Sequence, residues 1–303
     1  MPIELSWRVS LSASCLHAAE AHCRSCPRLD PAIGAAVAEP AARLQREIRA
    51  AGLPEKAFWA HLAPLSGEIE NNRQLVETAA CKTVGPGRCS AGSLSALAGC
   101  VADLEAALRR GLPDLLEQVA TGSEPLRRQW CSVGENLLFH VAQFTDERLV
   151  APSATVDLVY PAQGGAGAAH LPYNSVRIEA VAHEAAGALP EVLRLAWLLS
   201  QLNVDLPLFS EAIHPDRRAL VAELAMTPAV LAAAVEAGVE CGGPEVLADA
   251  VRLWPIDDLD PSVTTATVAA WWDSCREMRP RWSVALAALD RMLREEQSSG
   301  YGG

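Results

Sequence analysis

Along most of this chain apolar residues recur at three- and four-residue spacing, the period of a helix with one face turned to a core. One stretch departs by being apolar on every side. From Pro190 to Leu202, Val192, Leu193, Leu195, Ala196, Trp197, Leu198, Leu199 and Leu202 cover nearly every direction around a helix, leaving only Glu191, Arg194, Ser200 and Gln201 polar. A helix apolar all round is buried all round. The run is shorter than the ~20 apolar residues that cross a bilayer and has an Arg in its middle, so it reads as the central core helix of a soluble body.

Around it, proline and glycine punctuate a series of helices. Residues 3–9 form a short strand or arm before a helix over 12–26 that Pro27 ends. Asp30-Pro31 is an N-cap and first-turn pair opening a helix to about 51, bent at Pro40. Pro54 starts a short helix holding Phe58, Trp59 and Leu62, and Ser66 caps one carrying Ile69, Asn72, Val76 and Ala80. Gly85 to Gly92 breaks the pattern; then Leu94, Leu97, Val101, Leu104 and Leu108 mark a helix that Gly111 stops, and a second long helix spans Pro125 to Phe144. Later helices open at Pro215, Thr227-Pro228 and Pro244, and a last pair, broken at Pro280, follows Ser262. The phrases LPDLLEQV, LPEVLRLA, TPAVLAAA and GPEVLADA recur at unequal intervals, which is repeated helix-start chemistry and not a solenoid.

The helical period lapses over 151–173, where Val156, Leu158 and Tyr160 alternate as a short strand does and 162–170 is a small-residue loop. It resumes at Asn174 or Ser175, either of which caps a helix to Leu189 with Ile178, Val181, Ala182 and Ala185 inward and Glu179 and His183 one turn apart on a polar face. The expected fold is therefore all-α: a multi-helix bundle around 190–202 with one irregular insert at 151–173. It is a single domain over 1–303, divisible if at all into 1–150 and 174–296, with a loose tail at 297–303.

Composition narrows the partners. A net charge of -12, with Lys56 and Lys82 the only lysines, argues against nucleic-acid and anionic-membrane surfaces. The Arg- and Ala-rich usage points to a GC-rich bacterial coding sequence. Glu4 and Arg8 interrupt any apolar leader, and the nine scattered cysteines, an odd number, read as reduced thiols. The expected location is the cytoplasm.

Candidate chemistry concentrates where the period lapses. His170, Arg177, Glu179 and His183 bring an acid–base pair and a cation to one loop and helix start, with Tyr173, Asn174 and, from another helix, His140 as ligand-binding groups. Lying off the apolar face, Glu179 and His183 are expected to be replaceable without loss of stability. His183-Glu184 begins the zinc-protease pattern H-E-x-x-H, but position 187 is Gly, so the second ligand is missing. Cys15, His22 and Cys26 are the alternative metal set, on one helical face that makes a poor tetrahedron; no cofactor is expected. In IDDLDP (256–261) the carboxylates depart from the aspartate motif of isoprenoid synthases by one position and end in Pro. Gly85-Pro86-Gly87-Arg88 offers backbone N–H groups to an anion or simply turns the chain. No catalytic motif being complete, the expected function is noncatalytic binding of a protein partner. The alternative is a small-molecule or metal-dependent enzyme with a polar site at 170–184.

Overall fold

A computed structural model describes residues 3–181, 189–241, 243, 245–254 and 261–300. The protein is mostly helical, with a small four-stranded mixed sheet. It opens with β1 (Glu4–Val9), and Ser10, whose hydroxyl accepts the Ala13 N–H, caps α1 (Leu11–Cys23). Asp30 caps α2 (Pro31–Ala50) through the N–H groups of Ala32 and Ile33, and α3 (Glu55–Leu65) follows Pro54. Ser66 does not open the next helix. Its hydroxyl donates back to Ala63 O at the end of α3, and Asn71 caps α4 (Asn72–Val84) instead by accepting the Gln74 N–H. Gly85 and Gly87 both hold positive φ, 94° and 71°, in the turn that leads to Ser90, the cap of α5 (Ala91–Gly111).

After α6 (Leu115–Gly122) the expected single helix to Phe144 is three pieces: α7 (Glu124–Gln129), a π-helical turn at Trp130–Gly134, and α8 (Glu135–Phe144). The Trp130 ring lies where a side chain at Gly134 would stand, so the widened turn lets an indole close over its own helix. The strands β2 (Ser153–Val159), β3 (Gly167–His170) and β4 (Ser175–Glu179) come next, then α9 (Glu191–Ser200), α10 (Pro207–Ser210), α11 (Arg218–Glu236), α12 (Val246–Leu253), α13 (Pro261–Met278) and α14 (Trp282–Gly300). The tail expected at 297–303 falls on the end of α14 and on 301–303, which lie outside the described residues. IDDLDP also lies there except for Pro261, the first residue of α13.

Every residue of α9 is buried, as its all-round apolarity requires. Trp197 stacks on Trp254 with centroids 5.0 Å apart and gives its indole N–H to Glu223 O at 2.8 Å. Pro228 does not start a helix; it lies inside α11, where near-continuous burial from Val221 to Ala234 outweighs the hydrogen bond a mid-helix proline forfeits. By length and composition, Ala91–Gly111 and Pro215–Glu236 could each cross a membrane, but most of the second is inside the protein.

The sheet order is β1-β2-β4-β3, with β1, β2 and β4 parallel and β3 antiparallel to β4. The parallel pair β1–β2 brackets the first eight helices, so the insert is the closing half of a sheet begun at residue 4. The largest departure from the sequence reading is β4, where a helix was expected from 174 onward. Val176 and Ile178 alternate with Ser175, Arg177 and Glu179, a period of two that three-four spacing masks in so short a run. Asn174 adopts φ 47°, follows the 3-10 turn Leu171–Tyr173 and donates from Nδ2 to Ser153 O at 2.7 Å, so it turns a hairpin instead of capping a helix. The remainder of the expected helix, 182–188, lies outside the described residues.

Candidate functional site

Side chains alternate across a strand. Arg177 and Glu179 therefore share a face of β4, and the register sets Arg8, Asp157 and Arg177 side by side across β1, β2 and β4. α1 covers this face. Arg8 grips Asp157 through Nε and Nη2 at 2.8 and 3.1 Å, Arg177 Nη2 donates to Glu20 at 2.8 Å, and His17 Nε2 meets Glu179 Oε1 at 2.7 Å. Glu20 also pairs with Arg24 at 2.9 Å. His17 and Glu20 are three apart on a helix, a rise of about 4.5 Å, facing residues two apart on a strand, about 6.6 Å, so both pairs close with little adjustment. The opposite face packs against α6, α7 and α9: Arg127 lies over the Trp7 ring, Gly122 abuts Ala180 O, and Leu198 fills the space beside Gly167.

Glu179 is the centre of the arrangement and has no solvent exposure. Besides His17, its carboxylate accepts the backbone N–H groups of Gln163, Gly165 and Ala166 at 2.7, 2.6 and 2.9 Å, so each oxygen accepts two bonds. Burial alone would raise its pKa, but the His17 hydrogen bond and charge and the loop N–H groups outweigh it and hold the carboxyl below its usual range. The loop between β2 and β3 is thereby wrapped onto an anion. Gly165 holds φ 120°, a conformation that favours glycine, and a Cβ there would also displace the Arg194 guanidinium. Glu20 is lowered too, burial being outweighed by Arg177 and Arg24, whereas burial raises Asp157 despite Arg8.

This corrects the expectation for Glu179. It is a buried acceptor on a strand, not a member of a solvated helix face, and its partner is His17; His183 lies outside the described residues. Arg177 is likewise buried. Its Nε and Nη1, the Nε2 of His170 and the hydroxyl of Ser175 are buried with no hydrogen-bond partner among the described residues. Burial, and then Arg177, lower the His170 pKa to about 3, so this imidazole is neutral at physiological pH.

Tyr173 and Asn174 stand at the hairpin turn, Asn174 exposed and Tyr173 half-buried. The Tyr173 hydroxyl meets His61 Nδ1 at 2.7 Å, and Lys82 Nζ lies 5.4 Å from the centroid of its ring. Burial pushes Tyr173 up to about 12, while burial and Lys82 lower His61, so the pair is a neutral phenol and a neutral imidazole near pH 7. Lys82 borders an open groove of about 840 Å³ along α4. His140 is not part of either cluster; it lies on α8, edge-on to Phe139, and α8 packs on α9 and α11.

The alternative metal set is dispersed. Cys15 is buried and its thiol is raised chiefly by burial, while Cys26 Sγ donates to Gln163 Oε1 at 2.8 Å. Among the described residues no three His, Cys, Asp or Glu side chains converge as metal ligands. Cys23 and Cys26 are spaced as a redox pair would be, but they close the C-terminal end of α1, and burial followed by Glu55 and Glu20 raises Cys23 to about 11, the opposite of an activated thiolate.

The partners that sequence reasoning missed are His17 and Glu20. Their spacing of three along CLHAAEAHC was a signal, but only the sheet supplies the facing residues, 162 positions later for His17 and 157 for Glu20. Compared with family models, curated proteins and solved structures, the chain matches none.

Proposed function

We propose that this protein is a noncatalytic binding module of the cytoplasm that engages a protein partner through its helical surface. The observation that carries the reading is the state of Glu179: the carboxylate best placed for acid–base work is spent on four internal hydrogen bonds at zero exposure. A His–Glu pair is competent for proton transfer only where a substrate reaches it. Large apolar side chains stand exposed along the helices, among them Leu116 and Phe139 on α6 and α8 and Leu208, Met278 and Val284 on α10, α13 and α14, and both α10 and α13 pack on α14. All nine cysteines are unpaired, in keeping with a reducing compartment.

The test is affinity capture from a bacterial extract by the wild-type chain and by Leu208→Glu and Val284→Glu, with bound proteins identified and reconstituted from purified components. The expected result is a saturable partner whose affinity falls at least tenfold in one of the variants while their melting temperatures hold. A substrate turned over by the wild-type chain and not by Tyr173→Phe would replace this reading with the enzyme alternative, whose surviving solvent-facing residues are Tyr173 and Asn174.

A further inference from the structure

The groove beside α4 runs from Asn71 to Gly87 and is independent of the helical surface just described. Its volume of about 840 Å³ lies within the range of about 300–1,000 Å³ typical of small-molecule sites. Its walls are unequal in charge. Arg73 at one end is engaged, donating to Ala91 O and Ser95 Oγ and facing Glu77 at 3.9 Å. Lys82 at the other end is exposed and forms no ion pair among the described residues; the Tyr173 ring, held by His61, lies beneath its ammonium group. Between the two ends Ala80, Cys81, Pro86 and Leu94 give the lining its apolar character.

The carboxyl end of α4 lies on the Lys82 side of the groove, whereas Ala91, the first residue of α5, accepts from Arg73 on the other side. Lys82 and exposed Arg88, which lies between the lining residues Gly87 and Cys89, bring positive charge to the groove in a protein that is otherwise strongly acidic. We propose that this groove binds an amphiphilic anion, its acidic head at Lys82 and its apolar body against Ala80 and Leu94. The head is a carboxylate or sulfonate.

The probe is 8-anilinonaphthalene-1-sulfonate, titrated by fluorescence into the full chain, with dodecanoate and dodecyltrimethylammonium as competitors of matched length and opposite charge. One probe per chain is expected, displaced by dodecanoate at a concentration at least tenfold below that of the cation. Lys82→Glu weakens binding at least tenfold and Lys82→Arg restores it, while Thr78→Trp, which fills the middle of the groove and leaves Lys82 in place, also abolishes it. Cys81, exposed in the groove, reports location: dodecanoate slows its alkylation by iodoacetamide, read peptide by peptide, and leaves exposed Cys131 unchanged. Probe binding that is indifferent to Lys82→Glu, equal displacement by the cation, or an unprotected Cys81 would each overturn the proposal.

Discussion

Replacing Glu179 by Gln removes one charge and one acceptor while keeping the shape of the side chain. In the native carboxylate Oε2 accepts from Gly165 and Ala166, and Oε1 accepts from Gln163 and meets His17. An amide has a single oxygen. If it faces Gly165 and Ala166, its NH2 is pressed against the Gln163 N–H, and only His17 can adapt, by changing tautomer. The Gln163 bond to a charged acceptor is lost, at about 1.5–3 kcal/mol, and a buried donor is left unsatisfied, at about 1–3 kcal/mol. Discounting the overlap between these, the expected loss is about 2–4 kcal/mol. At about 2 °C per kcal/mol for a chain of this size, the melting temperature falls by about 4–8 °C. Calorimetry and urea titration read the loss, and limited proteolysis reads whether 160–166, freed from its anchor, becomes the first site cut. Exposed Glu39→Gln serves as the control. If Glu179→Gln melts within about 1 °C of wild type and its loop resists protease as before, the carboxylate is not locked inside and the solvated helix face inferred from sequence is restored.

Trp197→Ala, which removes the stack on Trp254 and the bond to Glu223, lowers stability by about 3–5 kcal/mol by calorimetry, whereas Trp197→Phe loses mainly the hydrogen bond, about 1 kcal/mol. Stability also depends on pH with a definite sign. His170 titrates at about 3 when folded and at about 6.5 when unfolded, so the unfolded chain binds the extra proton, and stability falls as pH drops from about 6.5 toward 3, by at most about 1.4 kcal/mol per unit from this group. The lowered carboxyls of Glu179 and Glu20 add a second loss that begins only below about 4.3. His170→Asn should shrink the loss in the upper window, leaving the share of His61, which is also lowered, and leave the lower one unchanged, as urea titrations from pH 7.5 to 3.5 would register; an unchanged upper window would show that His170 is already solvated. Thiol titration of the native protein should find Cys81 and Cys131 reacting first and Cys15 and Cys100 only on unfolding, and a native disulfide found by mass spectrometry would contradict the cytoplasmic reading.

The sequence by itself determined the elements whose signal is local and long. α9 is buried on all sides because nothing polar interrupts its circumference, α5 follows a three-four stripe over 21 residues, and α2 begins at Asp30-Pro31 because cap and first turn are set within three residues. It failed where two local readings fit one segment or where packing overrode a local rule. Ser175–Glu179 is too short for its period to decide between helix and strand, and only pairing with β2 and β3 made it a strand. Pro228 was carried inside α11 by burial, and Trp130 widened its own helix over Gly134. Of the candidate site, Arg177, Glu179, His170 and Tyr173 were singled out from their types and spacing, but their environments were not legible. Whether Glu179 faces solvent or the interior is fixed by a helix that departs from the sheet at residue 11 and a loop that returns to it at residue 163. No pattern within a few residues of Glu179 encodes that meeting. Tertiary structure alone decided it, because a buried carboxylate is stable only when distant donors arrive together to satisfy it.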